Sequence, residues 1–272
     1  AEVALELMPG NKIRKYDTWH AMGQGATTGS LVVTLEALKE MHLTPEDIQL
    51  IQNDTKTCPD TGMAGASRSL YMDGNATIIA ANKLLAAMRK EDGTLRTYDE
   101  MKAEGIETKY LGRYETNTTP GLCRLDPNTG IGDPTPAFTY CLNLAEVEVD
   151  TKTGKTTVLK FTCVDFVGRI GNIDAVNGQA YSGIMHGIGF ALKEDYADVK
   201  KHANMFGAGT SYIKDVPDDI NLIHIDGAIS DGPFGSSGAS EAFQASGHCA
   251  VLNGIYNACG VRIHEIRHFR RR

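Results

Sequence analysis

Residues 235–241 read Gly-Ser-Ser-Gly-Ala-Ser-Glu, a run of small residues that ends at an acid. The sequence predicts that a mostly uncharged helix follows, from Glu241 to about Cys259. At the start of a helix the first backbone N–H groups lack partners within the helix, and the positive end of the helix dipole lies there. A small-residue loop that enters a helix is therefore a candidate site for an anionic ligand.

Three more loops have the same character. They read Gly-Gln-Gly-Ala-Thr-Thr-Gly at 23–29, Ala-Gly-Ala-Ser-Arg-Ser at 64–69 and Gly-Gln-Ala-Tyr-Ser-Gly at 178–183. One such loop alone is more often a tight turn with a helix cap, but four together favour a large polyanionic ligand such as a dinucleotide. The first loop is one residue away from the dinucleotide fingerprint and lacks the Gly-Lys-Ser/Thr of a P-loop. The strand before it looks half-exposed, which argues against a central parallel strand. A non-catalytic nucleotide-binding module, with Asp54 as its ribose acid, stays open as an alternative.

The pattern around these loops predicts an α+β fold with two similar halves, each a mixed β-sheet with packed helices. Each half has the order hairpin, glycine-rich turn, helix, further strand, small-residue loop and helix, which suggests an internal duplication. The predicted strands cover 3–7, 12–19, 48–51, 140–150, 156–166 and 220–227, and the predicted helices cover 30–41, 70–89, 98–104, 175–194 and 241–259. We expect a first subdomain at 1–92, a connector at 93–138 and a second subdomain at 139–272.

Composition excludes several classes of protein. A formal net charge of −7 over 272 residues argues against a nucleic-acid partner. The longest apolar runs, such as 31–33, are far too short to cross a bilayer, so no membrane partner is expected. No export signal is evident, and the six cysteines form no CxxC pair, which favours a reducing, cytoplasmic location. Because the histidines form no HxxxH or HExxH pair either, we expect no metal ion bound directly by this chain.

Two charged residues in the loops are candidates for chemistry. Glu241 is the one acid within a loop of glycine, serine and alanine, where a general base for a bound ligand would lie. Its structural alternative is a first-turn acid that complements the helix dipole. Arg68, between two serines, could hold a phosphate through two hydrogen bonds, or it could form a surface ion pair.

The order and spacing of these motifs resemble one family. Met22-Gly23-Gln24-Gly25, Ala66-Ser67-Arg68-Ser69, Gly178-Gln179 and Gly238-Ala239-Ser240-Glu241 are similar to loops of the xanthine oxidase family of molybdenum hydroxylases. Within that family the chain most resembles the carboxy-terminal part of bacterial aldehyde oxidoreductases of the Desulfovibrio kind. The residues that carry this likeness are 53–55, 58–62, 237–244 and 257–263, and the match covers roughly residues 1 to 266.

The resemblance implies a cofactor and a role for each matching residue. The cofactor would be a molybdopterin, in bacterial members usually the cytosine dinucleotide form, with molybdenum held through the pterin. The implied cofactor-binding residues are Gly23, Gln24, Gly25, Ala66, Ser67, Arg68, Ser69, Gln179, Gly238, Ala239 and Ser240. Glu241 matches the catalytic base in the oxidation of aldehydes to carboxylic acids, with water as the oxygen source.

The resemblance also implies partners, because the family's remaining parts are not in this sequence. The first half of the molybdenum portion and the domains that carry [2Fe-2S] clusters would belong to the same parent chain or to separate subunits, with electrons passing to those clusters. A split enzyme and a fragment of a longer one therefore stay open, as does a structural subunit without cofactor. The substrate would be a small aldehyde, and the full enzyme a homodimer.

Overall fold

The computed structural model describes residues 1–52, 54–116, 126–132, 135, 137–264 and 266. It confirms the α+β class, with helices packed on mixed sheets in two compact units. The first unit comprises Ala1–Phe138, Gly168–Asn172 and Ala228–Gly238, and the second comprises Thr139–Val167, Ile173–Gly227 and Ala239–Arg272. After residue 139 the chain thus returns twice to the first unit, a feature that the predicted boundaries at 92 and 138 do not include.

A four-stranded sheet forms the base of the first unit. Its strands are β1 (Glu2–Met8), β2 (Lys12–Asp17), β3 (Ile48–Gln52) and β4 (Lys109–Arg113), in the order β3-β2-β1-β4. β1 pairs antiparallel with β2 and β4, and β2 pairs parallel with β3. The turn Pro9–Asn11 joins β1 to β2, and Gly10 adopts a φ of 74° there, which glycine takes without strain. The predicted hairpin is confirmed, and its apolar residues Leu5, Leu7 and Ile13 lie in the core.

Three helices accompany this sheet: α1 (Ala26–Ala37), α2 (Arg68–Met88) and α3 (Tyr98–Ala103). α2 buries alanines, which lets it approach the sheet closely: a Cβ on Gly112 of β4 would collide with the backbone carbonyl of Ala76. α3 and β4 both lie within the expected connector 93–138. Because β4 is hydrogen-bonded to β1, this part of the connector completes the first sheet.

The second unit has a three-stranded sheet covered by helices. Its strands are β5 (Tyr140–Val149), β6 (Thr156–Phe166) and β7 (Asp219–His224), in the order β5-β6-β7. β5 and β6 are antiparallel with an irregularity at Glu146/Val147, and β6 and β7 are parallel. The helices are α4 (Ile173–Leu192), α5 (Met205–Ala208), α6 (Ser240–Ala245) and α7 (Gly247–Cys259). Phe161, Ile184, Phe243 and Val251 are fully buried and form part of its core.

Three expectations about local structure are wrong. Residues 178–183 do not form a loop at a helix start, since they lie inside α4, which confirms the helix predicted over 175–194. The single helix expected over 241–259 is divided at Ser246 into α6 and α7. The strand before the first glycine-rich loop is not half-exposed, because Ile13 and Lys15 of β2 are fully buried.

Two further expectations concern membrane spans and residues outside the described ranges. In the described ranges no helix is long and apolar enough to span a bilayer. The motif residue Asn53 and the basic end 267–272 lie outside the described residues.

Candidate active site and cofactor-binding loops

The first glycine-rich loop leads directly into α1. Gly25 precedes the helix with a φ of 85°, and no side chain caps the first turn. Gln24 holds the loop itself, because its Nε2 donates to the carbonyl of His20 over 2.9 Å and its Oε1 accepts from the backbone N–H of Met22. Gly23 also has a positive φ, and a Cβ there would meet nothing within 4 Å. The loop therefore combines a fixed backbone with open space and an uncapped helix start.

A buried polar network, which the sequence reading missed, holds the strand before this loop. Asp17 accepts from Ser30 Oγ of α1 over 2.8 Å and from Gln52 Nε2 of β3 over 2.7 Å. Lys15 Nζ lies 3.2 Å from the Asp17 carboxylate, and both side chains are fully buried. Burial lowers the pKa of Lys15. The network ties α1 to the sheet and so fixes the position of the loop between them. The only indication of this network in the sequence is a pair of charged residues that point to the same side of one short strand.

The second loop enters α2 through strained backbone. Ala66 and Ser67 have φ values of 50° and 57°, in the left-handed region that residues with a Cβ seldom adopt. Arg68 braces the loop, since its Nη1 donates to the carbonyls of Thr61 over 2.8 Å and of Met63 over 3.2 Å. Its Nη1 is thus used by the protein itself, so the expected phosphate contact would have to use Nε or Nη2. Ser69 is the second residue of α2.

One turn further along α2, Asp73 lies buried beside the Lys15–Asp17 pair. Only 1% of its surface is exposed, and its Oδ1 has no hydrogen-bond partner among the described residues. Burial raises the pKa of Asp73 to about 7, although Lys15 acts in the opposite direction. This carboxyl can therefore bind and release a proton inside the first unit, and none of the sequence motifs indicated it.

In the second unit the structure joins two motifs that are distant in sequence. Ser240 Oγ, at the first residue of α6, donates to Gln179 Oε1 of α4 over 2.8 Å. α6 can approach α4 this closely because of Gly183, where a Cβ would lie 2.6 Å from the Cβ of Phe243. Glu241 follows Ser240 directly and is exposed to solvent. The start of α6, where the predicted base lies, is therefore bound to the predicted pterin contact within α4.

Asn143 of β5 holds the other end of α6. Its Nδ2 donates to Ser246 Oγ over 2.9 Å and to the carbonyl of Phe243 over 3.4 Å. Together with the Ser240–Gln179 contact, this anchors α6 at both ends and fixes the backbone that carries Glu241.

A second polar chain fixes the beginning of α4. His224 Nδ1 lies 2.7 Å from Asp165 Oδ2, and its Nε2 lies 2.7 Å from Asn177 Oδ1. Asp165 is buried, and burial raises the pKa of its carboxyl against the opposing influence of His224. Asn177 precedes Gln179 by two residues, so the contact steadies the helical turn from which Gln179 extends. The sequence reading assigned no role to these three residues.

Two of the remaining predicted residues come just before α6 along the chain. Gly238 ends the first unit and Ala239 begins the second, immediately before α6. Within the first unit, Ser237 Oγ donates to the carbonyl of Phe138 over 3.2 Å. In the part of the chain that the structure describes, no group of three or more His, Cys, Asp or Glu side chains could hold a metal ion.

Comparisons with known proteins agree on one family. The family described as the molybdopterin cofactor-binding domain matches residues 1–217. The aldehyde oxidoreductase of Megalodesulfovibrio gigas is 40% identical over 266 residues, which are 98% of this chain and 29% of that protein. The crystal structure of the aldehyde oxidoreductase from Desulfovibrio desulfuricans has a TM-score of 0.91 and 42% identity, over 97% of this chain and 28% of that chain. The chain thus spans less than a third of either enzyme.

A more distant structure shares the fold. The quinoline 2-oxidoreductase from Pseudomonas putida has a TM-score of 0.77 at 20% identity, over 98% of this chain and 37% of that chain. At this identity the likeness extends to the arrangement of helices and strands alone.

Proposed function

Because this chain belongs to the family of molybdopterin cofactor-binding domains, we propose that it is the carboxy-terminal molybdenum-binding portion of an enzyme that oxidises aldehydes to carboxylic acids. Glu241 is the catalytic base of the proposed reaction. The observation that carries the proposal is the hydrogen bond from Ser240 to Gln179, which links two cofactor motifs 61 residues apart beside Glu241.

The residues of the first unit suit the anionic part of such a cofactor. α1 and α2 both begin without a side-chain cap, so backbone N–H groups at both starts can bind phosphate oxygens. The consecutive left-handed residues Ala66 and Ser67 are costly for the chain, and such strain is concentrated at ligand sites. Gly23 leaves room for close approach of a ligand to the backbone. This donor set fits a pyrophosphate, as in the cytosine dinucleotide form that we propose.

The chain's own residues have separate tasks in the proposed reaction. A bound molybdenum cofactor supplies the two-electron oxidation, with water as the oxygen source. Glu241, exposed at the start of α6, accepts the proton that this oxidation releases from water. Ser240 and Asn143 hold the backbone on either side of it, and Gln179 contacts the pterin portion.

The finer parts of the proposal concern the whole enzyme. We place the rest of the molybdenum portion and the [2Fe-2S] clusters on other parts of the parent chain or on separate subunits, and the complete enzyme is a cytoplasmic homodimer. The length of the matched aldehyde oxidoreductases, of which this chain spans 28% and 29%, supports the existence of such parts. The free cysteines of the described ranges support a reducing location.

Substitution of the base tests the assignment. In the assembled enzyme Glu241→Gln keeps the size of the side chain and removes its ability to accept a proton. We expect turnover to fall by roughly 100-fold or more, the usual contribution of a general base, while molybdenum content stays unchanged. Glu148→Gln, an exposed acid on β5, is the matched control and should retain activity.

Two results would count against the proposal. Full turnover in Glu241→Gln at normal molybdenum content would remove Glu241 from the mechanism. A purified enzyme with nicotinamide or flavin absorbance and no molybdenum would favour the nucleotide-binding alternative.

A further inference from the structure

Two cysteines that the proposed reaction does not use lie in contact in the second unit. The Sγ atoms of Cys141 on β5 and Cys163 on β6 are 3.4 Å apart. The antiparallel register pairs Cys141 with Asp165 and Asn143 with Cys163, so the two cysteines are diagonal neighbours on one face of the sheet. Cys163 is fully buried, whereas Cys141 is partly exposed. Among the described cysteines only these two have their sulfur atoms paired with each other.

We propose that Cys141 and Cys163 form a dithiol site that is oxidised reversibly to a disulfide by hydrogen peroxide. The Cys141 thiolate attacks one peroxide oxygen, the O–O bond breaks, and a sulfenic acid and hydroxide result; the hydroxide takes up the proton that the Cys141 thiol released and becomes water. The sulfur of Cys163 then attacks the Cys141 sulfur and displaces the second oxygen as water. The two thiols thereby lose two electrons and two protons, and the peroxide is reduced to two molecules of water.

The environments of the two sulfurs divide these tasks. The contact with Cys163 lowers the pKa of the Cys141 thiol, because a Cys141 thiolate can accept a hydrogen bond from the S–H of Cys163. The same contact, together with burial, raises the pKa of the Cys163 thiol. The thiolate is the reactive form of a cysteine, and peroxide reaches the more exposed sulfur more easily. Cys141 is therefore the attacking residue and Cys163 the resolving one. Asp165, directly opposite Cys141 and bound to His224, opposes ionisation of both thiols.

The diagonal position makes the disulfide labile. To form the bond, the sulfur atoms must move from 3.4 Å to about 2.05 Å apart, and diagonal positions are separated more widely than directly opposite ones. Closing this gap distorts the pairing of β5 with β6. Distorted disulfides are more easily reduced, which is the behaviour of a reversible site and not of a structural crosslink.

Oxidation has a route to the helix that carries Glu241. Asn143 lies two residues from Cys141, whose Sγ donates to Asn143 Oδ1 over 3.8 Å. The same Asn143 side chain anchors α6 through Ser246 and the carbonyl of Phe243. A disulfide removes the S–H donor and shifts β5 where Asn143 is attached. We therefore expect oxidation to lower turnover of the assembled enzyme, and this last step rests on the proposed function.

Peptide mapping tests the site without any measurement of turnover. The reduced full protein is treated with one equivalent of hydrogen peroxide, free thiols are blocked, and tryptic peptides are analysed without reduction. Lys152, Lys155 and Lys160 separate the two cysteines into different peptides. We expect these two peptides to be linked, with the loss of two hydrogen atoms, and dithiothreitol to release them.

In Cys163→Ala, Cys141 should remain as a sulfenic acid that dimedone traps. Cys249→Ser, which removes an exposed cysteine, should leave the link intact.

Each outcome decides one part of the proposal. Failure of the two peptides to link, or a link of either cysteine to Cys58, Cys249 or Cys259 in its place, would overturn the dithiol site. A complete link with unchanged turnover would retain the site and overturn its coupling to α6. Because linkage is detected by mass, a failure of the proposed aldehyde-oxidising function does not affect the first result.

Discussion

At the scale of single residues, the first unit contains charges where an apolar core would be expected. Lys15 and Asp17 are fully buried on β2, and Asp73 of α2 lies beside them. A buried charge is costly unless it is paired and hydrogen-bonded. Asp17 meets this condition through Ser30 and Gln52, but Asp73 does not, because its Oδ1 has no hydrogen-bond partner among the described residues.

Asp73→Asn should make the stability of the protein less dependent on pH. Burial raises the pKa of Asp73 from 3.8 to about 7, so between these values the folded protein holds a proton that the unfolded chain has released. Rising pH then favours the unfolded chain by up to about 1.4 kcal/mol per pH unit, and the loss stops above about pH 7. The asparagine variant lacks this loss, so its stability relative to the natural protein should rise between about pH 4 and pH 7.

Urea unfolding of the two proteins at several pH values measures this difference. Asp218→Asn, at an exposed position, is the control and should follow the natural protein throughout. A constant difference between the Asp73 variant and the natural protein across the range would show that Asp73 does not hold its proton in the folded state.

The candidate site shows which single residues a sequence can reveal. An acid within a run of small residues is conspicuous, so the sequence alone makes Glu241 a candidate base. The contacts by which Gln179 and Asn143 hold the two ends of α6 were beyond prediction, since hydrogen bonds across 61 and about 100 residues depend on how the elements pack. The Asp165–His224–Asn177 chain went unnoticed for the same reason.

At the scale of elements, periodicity predicted best where one face of an element is buried. The hairpin of β1 and β2 and the long helix α2 follow their apolar patterns closely. At α4 the helix predicted over 175–194 is confirmed, but the interpretation of the glycines of 178–183 as a loop is wrong. Glycine lowers helix propensity, but here Gly183 and Gly187 are required because Phe243 of α6 and Gly247 of α7 lie against them. Packing between helices outweighs the local preference.

Two glycines of α4 provide a matched test of this explanation. Gly183→Ala places a Cβ 2.6 Å from the Cβ of Phe243 and 2.9 Å from its backbone carbon, so α6 must move. We expect a loss of about 1–3 kcal/mol in stability from this overpacking. Gly178→Ala meets nothing within 4 Å and should stabilise the protein by up to about 1 kcal/mol, because alanine favours the helix. Urea midpoints of the two variants compare them directly; equal midpoints would contradict the packing explanation.

At the scale of the whole molecule, the two units repeat one order of elements. In each, an antiparallel hairpin is followed by a helix and then by a strand that pairs parallel with the second strand of the hairpin. A further helical segment completes each repeat: α2 in the first unit, and α6 with α7 in the second. β4 is an addition to the first sheet. The sequence suggested this duplication through the order of its predicted elements and glycine-rich segments, because that order is retained where residue identity is not.

The whole molecule also predicts where iron and molybdenum reside in the assembled enzyme. The proposed function places the [2Fe-2S] clusters on other parts of the enzyme, and such clusters are held by cysteine thiolates. Replacing Cys58, Cys249 or Cys259 singly by serine should therefore leave the iron content unchanged. Gln179→Ala removes the acceptor of Ser240 and should lower molybdenum while iron stays constant. Elemental analysis of the purified variants separates the two metals, and a loss of iron on replacing any one of these cysteines would place a cluster ligand on this chain.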